Sequence, residues 1–317
     1  MEKVYYGEVN CQGSYKSGEK KGLACENKAY HQVDDSYLCG VHAKKRGTPL
    51  PKNPRRQENI QQAHEEHEKE CEEVAHDNLE NGIQGQIAVA KLGMRKAVPH
   101  LPGYVKIFPN YKHGNRKDGF GCPSLSPKSL GPIEHGMTNL PVALNLENYH
   151  QGAKVFPGET KGAKSITRKA FETREQMYQD AIPYRHKFDV PYYTGEKIMK
   201  GNKNIPLFSV YYDKEGREHR YNYLESRYFY CHWYQKLAPQ EKDFDTLVSL
   251  LENGFNLLLI GYDGYPVEKD LWEHYLDTSR PFGHELVLYT LLTIVDPEDY
   301  PWNRYYRQHK DIYEGVI

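Results

Sequence analysis

The sequence predicts a mixed α/β or α+β protein, with one α/β body and a small N-terminal module. The chain has 317 residues, enough for one sizeable domain and an accessory segment. Its C-terminal third alternates amphipathic helix patterns with a short apolar run, which is typical of a strand covered on both faces. The first 47 residues are rich in glycine, lysine and tyrosine and too polar to form a core unaided.

Three cysteines and one histidine stand out in this N-terminal module. They follow the spacing C-x13-C-x13-C-x2-H at Cys11, Cys25, Cys39 and His42. Four such ligands in a segment without a core indicate structural zinc, whose binding supplies folding energy. Unpaired thiols are one alternative, and disulfides are disfavoured because only six cysteines serve the whole chain.

The pattern C…SGEKKGLAC…YLCGVH resembles the short Cys-Cys-Cys-His zinc modules of some eukaryotic chromatin-associated proteins and of giant-virus proteins. The resemblance covers the N-terminal module alone. It implies that Cys11, Cys25, Cys39 and His42 occupy the four ligand positions of that family.

The charge distribution predicts a linker after the module. A basic tail follows the zinc ligands and could contact the phosphates of a nucleic acid. Nucleic acid or a protein is therefore a candidate partner of the module and its tail. The alternative is that the tail is a solvated linker. Residues 57–80 are acidic and nearly free of apolar side chains, so an exposed helix is expected there. His64, His67 and Cys71 share one face of it, without an evident fourth ligand. The basic residues are Lys44, Lys45, Arg46, Lys52, Arg55 and Arg56.

These patterns divide the chain into three parts. We expect a zinc module over residues 1–47, a basic, proline-containing linker with the acidic helix over 48–97, and the α/β body over 98–317. The 27 tyrosines, against ten phenylalanines, suit a wet core, a polar ligand cleft or a partner interface.

The first half of the body contains a short strand and two helices. Tyr104 to Phe108 reads as a strand, and the following proline- and glycine-rich segment reads as loops. Asn145 can cap a helix that extends to Phe156, and a further helix is expected over 166–180. Within the first helix, Glu147 lies one turn before His150, which could support acid/base chemistry or form an ordinary surface pair.

The C-terminal third is the clearest part. Residues 226–237 predict a helix with an aromatic face, and Asp243 can cap the next helix. The apolar run 255–261 then predicts a buried strand, followed by a polar loop and a helix that begins near Gly283.

Ligands of open α/β sheets bind outside the carboxyl ends of the strands, which selects the loop after residue 261 and the start of the last helix. We therefore expect a small anionic, nucleotide-like ligand there, held by a helix N-terminus and an arginine. Turn formation, local ion pairing and helix-dipole compensation are the ordinary alternatives for these residues. The catalytic candidates are Asp263, His284, Glu285 and Glu147; the ligand-binding candidates are Arg280, Tyr265, Lys128 and Ser126.

The body also carries two resemblances. The segments SPKSLGPI, NLENYHQGAKVF, ESRYFYCHWY, NLLLIGYDGY and SRPFGHELVLYTLL resemble uncharacterised proteins of giant DNA viruses. The order of the predicted motifs, helices and strand in the body resembles an uncharacterised phage and bacterial α/β family. Gly283-His284-Glu285 occupies the place of that family's CHG-type motif. The chain has Tyr262-Asp263 where that family has strand-end cysteines. The resemblances imply a viral protein and an α/β fold rather than an activity.

Two functional hypotheses remain at this level. One is a viral nucleotide-binding or nucleotide-processing domain with structural zinc, and the other is a non-catalytic virion, capsid-associated or nucleic-acid-associated protein. Whether the chain is an enzyme stays open, because P-loop, G-x-G-x-x-G, H-E-x-x-H and G-x-S-x-G motifs are missing. A net charge of −1 favours neither nucleic acid nor membranes globally, and no apolar run could insert into a membrane. Without a signal peptide, we expect the host cytoplasm or the virion as its location.

Overall fold

The computed structural model describes residues 4–44, 46–94, 96–161, 165–186 and 205–316. The chain divides into two compact units, Met1–Lys69 and Glu70–Ile317. The division falls inside the acidic helix, which the sequence assigned to the linker.

The first unit contains a small antiparallel sheet and the beginning of a long helix. Strand β1 lies between β2 and β3. The elements are β1 (His31–Val33), β2 (Ser36–Leu38), α1 (Gly40–Ala43), β3 (Thr48–Pro49) and the start of α2 (Pro54–Glu80).

The long helix α2 has two different halves. Its first half, up to Lys69, is mostly exposed, as its polar composition predicts. Its second half is not exposed all round, because Cys71 and Ala75 are buried within the second unit. There the Nδ2 of Asn78 donates a hydrogen bond to the backbone oxygen of Gly254 at 2.8 Å. Because most residues of α2 are acidic or polar, the sequence pattern does not indicate this short buried stripe of Cys71 and Ala75.

The second unit contains two larger sheets and a hairpin, with helices packed around them. The strands are β4 (Ile87–Lys91), β5 (Tyr104–Phe108), β6 (Phe120–Gly121), β7 (Lys154–Val155), β8 (Thr160–Lys161), β9 (Ser165–Ile166), β10 (Phe208–Tyr212), β11 (Glu218–Tyr221) and β12 (Asn256–Gly261). The helices are α3 (Leu146–Gly152), α4 (Arg168–Gln179), α5 (Tyr223–Leu237), α6 (Lys242–Glu252), α7 (Leu271–Leu276), α8 (His284–Thr293), α9 (Pro301–Gln308) and α10 (Lys310–Tyr313).

A four-stranded parallel sheet forms the centre of this unit and confirms the predicted α/β class. Its strand order is β4-β12-β5-β6, so that the last strand in sequence lies between two early ones. All residues of β12 are buried. Leu257 and Leu259 belong to the main core, whereas Leu258 and Ile260 belong to a smaller cluster. Alternation along the strand thus covers both faces, as the continuous apolar run predicts.

A second sheet is antiparallel, with the order β11-β10-β7. Its strand β7 begins two residues after α3, so the helix expected to extend to Phe156 ends at Gly152. Asn145 caps α3 as predicted, because its side chain accepts a hydrogen bond from the Asn148 amide. Asp243 does not cap α6; its carboxylate accepts hydrogen bonds from the amide and hydroxyl of Ser124.

Tyrosines account for much of the main core. Tyr211 stacks on Phe229 with ring centroids 3.7 Å apart, and Tyr221 stacks on Tyr313 at 5.5 Å. A large part of the tyrosine excess therefore lies in the core, and a partner interface is not needed to explain that part. Among the described residues, no helix is long and apolar enough to cross a membrane.

Candidate functional site

The four predicted metal ligands come together in the first unit. Cys11 and Cys25 lie in the segments that pair around the bridges Asn10–Lys28 and Ser14–Ala24. Cys39 is the N-cap residue of α1, and His42 lies one turn later in the same helix. The three cysteines are buried and form the centre of a small cluster.

The distances between the ligand atoms fit a tetrahedral ion. Zinc at about 2.3 Å from sulfur and about 2.0–2.1 Å from nitrogen separates two sulfurs by about 3.8 Å, and a sulfur from a nitrogen by about 3.6 Å. The Sγ atoms of Cys25 and Cys39 are 3.9 Å apart. The Nδ1 of His42 lies 3.5 Å from the Sγ of Cys39 and 3.2 Å from that of Cys11. All four ligand atoms lie within 4.8 Å of one another, and the cysteines are free thiols.

Backbone groups around the ligands favour thiolates. The Sγ of Cys11 accepts hydrogen bonds from the amides of Gly13 and Cys39, at 3.4 and 3.2 Å. Burial opposes ionisation of Cys39, but backbone N–H groups of His42 and Val41 and neighbouring thiols outweigh it and lower the pKa of this thiol to about 7. Burial raises the pKa of the Cys11 thiol despite its two backbone hydrogen bonds, so the surroundings favour ionisation of Cys39 in particular.

The basic residues that follow the metal ligands are exposed. Lys44, Arg46, Lys52 and Arg55 are all exposed, and Arg56 follows at the start of α2. Lys45 lies outside the described residues. The tail does not form one extended linker, because Thr48–Pro49 pairs with β1 and Pro54 begins α2.

In the second unit, the carboxyl end of β12 meets the start of α8, as the sequence predicts. A Cβ added to Gly261 would lie 1.6 Å from the Oε1 of Glu285, so only glycine allows this approach. A Cβ added to Gly283 would lie 2.9 Å from the Cβ of Asp263 and 2.8 Å from the Oε2 of Glu285. Two glycines therefore let the Glu285 side chain fill the space between strand end and helix start.

Glu285 is fully buried, and neither carboxylate oxygen accepts a hydrogen bond from the described residues. The Nδ1 of His284 lies 3.4 Å from its Oε2. The Nε2 of His284 is 2.8 Å from the backbone oxygen of Pro109, which can only accept, so this nitrogen carries a proton. Nδ1 then bears a second proton only in the imidazolium form.

Glu147 lies in a second polar group, on α3 and β7. The Nε2 of Gln151 donates to the Oε1 of Glu147 at 3.1 Å, and the Nζ of Lys154 donates to the Oε1 of Gln151 at 3.1 Å. Burial lowers the pKa of Lys154 to about 8, and the carboxylates of Glu147 and Asp263 partly oppose that shift. Lys154 is therefore hydrogen-bonded to α3, and the carboxylate of Asp263 acts on its pKa only through electrostatics.

Tyr230 on α5 completes this region. Burial, followed by neighbouring groups that include Glu147 and Glu285, raises the pKa of Tyr230 well above its usual value. Its ring lies 5.0 Å from that of His150, whose pKa burial lowers well below the usual range. We call this set of polar residues the sheet-edge cluster: Glu147, Gln151, Lys154, Tyr230, Asp263, His284 and Glu285.

Two of the predicted ligand-binding residues lie beside the cluster. The amide of Glu147 donates to the backbone oxygen of Pro127 at 2.8 Å, which places the loop of Ser126 and Lys128 against α3. Ser126 is buried, and its Oγ accepts a bond from the Lys128 amide at 3.4 Å. The Lys128 side chain is exposed.

The other two predicted ligand-binding residues form a separate contact. The guanidinium of Arg280 lies over the ring of Tyr265, 5.3 Å from its centroid. The backbone oxygen of Arg280 accepts from Arg227, and the ring of Tyr265 lies 5.3 Å from that of His274. The side chain of Glu285, and not that of Arg280, fills the space between Gly261 and Gly283 at the start of α8. Arg280 therefore has a cation–π role.

The sequence patterns do not indicate Lys154 or Tyr230 as site residues, nor the contact between Tyr230 and His150. Lys154 follows Glu147 by seven residues, a spacing of two helical turns, but it lies in the two-residue strand β7, which local sequence pattern does not predict.

Comparisons with known proteins provide no further guide: the chain matches no protein-family model, no curated protein and no solved structure.

Proposed function

We propose that the first unit is a structural zinc module. The observation that carries this proposal is the near-tetrahedral arrangement of Cys11, Cys25, Cys39 and His42. Four protein ligands leave no coordination position for water or substrate, so the ion would stabilise the fold and take no part in catalysis. Three thiols and one imidazole favour zinc over calcium or magnesium, which prefer oxygen ligands.

Elemental analysis of the undenatured full-length chain tests the metal. We expect one zinc per chain in the wild type and none in Cys25→Ser, with Cys122→Ser as the matched control because Cys122 is a buried thiol of the second unit. Zinc-free wild-type protein with Cys11, Cys25 and Cys39 all reduced would contradict the proposal.

We further propose that the second unit binds a nucleotide or nucleotide-derived ligand at the sheet-edge cluster. Support comes from location and from charge. The cluster lies at the carboxyl end of the parallel strands, the usual ligand position of open α/β sheets. Lys154 supplies a half-buried cation there, which replaces Arg280 as the candidate partner of a phosphate group.

Titration calorimetry of the zinc-loaded chain with nucleotides, dinucleotides and nucleotide-sugars tests this second proposal. Lys154→Met should weaken binding by about 1.5–3 kcal/mol, the range for a hydrogen bond to a charged group, or roughly 10–150-fold in Kd. Lys214→Met is the matched control, since Lys214 is exposed in the turn between β10 and β11. Absence of binding by every compound in the panel would favour a non-catalytic structural protein instead.

A further inference from the structure

We propose that the first unit binds single-stranded nucleic acid on a surface formed by the ring of Tyr6 and the basic tail. The exposed cations of the tail contact backbone phosphates, and one base stacks on the tyrosine ring. Neither the zinc site nor the sheet-edge cluster uses this surface, so the inference goes beyond both proposed functions.

Backbone hydrogen bonds join the N-terminal segment to the basic tail. The amide of Tyr6 donates to the backbone oxygen of Pro51 at 2.8 Å, directly before Lys52. The amide of Leu50 donates in turn to the backbone oxygen of Tyr30 at 3.0 Å. Two tyrosines that are distant in sequence from the tail therefore lie beside it in the fold, which the charge pattern alone does not indicate.

Tyr6 and Tyr30 form an aromatic pair at this junction. Their ring centroids are 4.4 Å apart, with an angle of 32° between the ring planes. Tyr30 is half-buried, whereas Tyr6 is 44% exposed. Packing on Tyr30 thus holds the Tyr6 ring and leaves much of it open to solvent. Because the ring is already held, a base that stacks on it loses little conformational entropy of the protein.

The tail supplies cations that have no partner in the described residues. The side chains of Lys52, Arg55 and Arg56 are exposed, and none of them forms an ion pair or a hydrogen bond with the part of the chain that the structure describes. The carboxylate of Glu8 lies at the same place and accepts a hydrogen bond from the side chain of Asn53 at 2.7 Å. Glu8 is therefore held by a neutral donor, and the three cations remain available to phosphate groups.

Positive charge is concentrated in this part of the chain. Residues 1–56 contain eleven lysines and arginines against six acids, although the net charge of the whole chain is −1. A zinc ion with three thiolates would change this balance by one negative charge only, so the module stays cationic when loaded. Its affinity for a polyanion should accordingly fall as the salt concentration rises.

The combination of a held ring and free cations favours single strands over duplexes. A base can stack on a side chain only where its face is free, as it is in single strands, loops and ends. A duplex offers its phosphates to the tail but hides the faces of its bases. A strand without bases would likewise use the cations and leave the Tyr6 ring unused.

Fluorescence anisotropy with the full-length, zinc-loaded chain at low salt tests this inference. The probes are a labelled oligothymidylate of about twelve nucleotides, a usual site size, an abasic strand of equal length and the duplex of the oligothymidylate with oligoadenylate. We expect the oligothymidylate to bind most tightly. Tyr6→Leu should weaken its binding roughly 5–150-fold, which corresponds to the loss of one stacked base, and should leave abasic binding unchanged.

Matched variants separate stacking from charge and from folding. Tyr111→Leu is the control for the ring, because Tyr111 is also 44% exposed and lies in the second unit. Tyr6→Phe keeps the ring and should bind like the wild type. Lys52→Met should weaken oligothymidylate and abasic binding equally and reduce the slope of log K against log salt by about 0.7, whereas Lys214→Met should change neither.

Several results would overturn the inference. They are equal affinities of the wild type for oligothymidylate and abasic strand, tighter binding of the duplex, no binding of any probe, or equal losses in Tyr6→Leu and Tyr111→Leu. The dispersed amide signals of the first unit show whether Tyr6→Leu is folded. If that variant loses them, the comparison of oligothymidylate with abasic strand in the wild type decides.

Discussion

Replacement of Gly13 by alanine should disable the metal centre without touching a ligand. Gly13 follows Cys11 by two residues, and its amide donates to the Sγ of Cys11. A Cβ at this position would lie 2.6 Å from the Cγ and 2.7 Å from the Nδ1 of His42. The added methyl group would therefore collide with the imidazole ring at Nδ1, the proposed zinc ligand atom.

The size of the collision sets the expected effect. Ordinary van der Waals contact of a Cβ begins at 3.4 Å, so the ring must move by about 0.8 Å. Ligand distances in metal sites are held within about 0.2 Å, and the displaced nitrogen cannot stay in the coordination shell. We expect at least the 10–100-fold loss of zinc affinity that follows from disturbing the surroundings of a ligand, or about 1.4–2.7 kcal/mol.

Competition with a chromogenic chelator measures this loss. Gly40→Ala is the matched control, because Gly40 is next to Cys39 and a Cβ there meets nothing within 4 Å. Substitution by cobalt gives a second readout, since loss of His42 as a ligand changes the intensity of the visible bands of a tetrahedral site. Equal affinities in Gly13→Ala and Gly40→Ala would refute the ligand geometry.

Three further results are expected. Cys39→Ala should unfold the first unit, as seen by loss of its dispersed amide signals, while the thermal transition of the second unit changes little. Amides of residues 55–69 should exchange with solvent quickly and those of residues 71–78 slowly, because only the second stretch packs on a core; uniform exchange rates along α2 would contradict this. Gly261→Ala should destabilise the second unit by about 3 kcal/mol or more in urea unfolding, and Glu285→Ala on that background should restore part of the loss, because the clash is with the Glu285 side chain.

The sequence predicted the parts of the fold that depend on local pattern. The strand Asn256–Gly261 and the helix His284–Thr293 follow directly from a continuous apolar run and a periodicity of three to four residues. It failed at β4, where Ile87–Lys91 is a five-residue strand between glycines. The antiparallel sheet was also missed, because β7 finds its partner β10 more than fifty residues later in the chain.

The sheet-edge cluster likewise contains some features that the sequence predicts and others that it does not. The meeting of Asp263 with the start of α8 could be predicted, because the carboxyl ends of parallel strands and the following helix share one edge of the sheet. Lys154 could not, because its direction depends on the pairing of β7 and on the end of α3 at Gly152. The ligand-binding role of Arg280 stays a prediction, and its cation–π contact with Tyr265 could not be predicted because it depends on how two loops pack together.

The strand order of the central sheet has a consequence for synthesis on the ribosome. β4 and β5 do not pair with each other, because β12 is inserted between them through the registers Leu258↔Ala88 and Leu258↔Lys106. Until residue 261 has left the exit tunnel, both early strands present unpaired edges, which are templates for association between nascent chains. Completion of the sheet must therefore wait for the last fifth of the chain, and fragments that end before β12 should aggregate during translation.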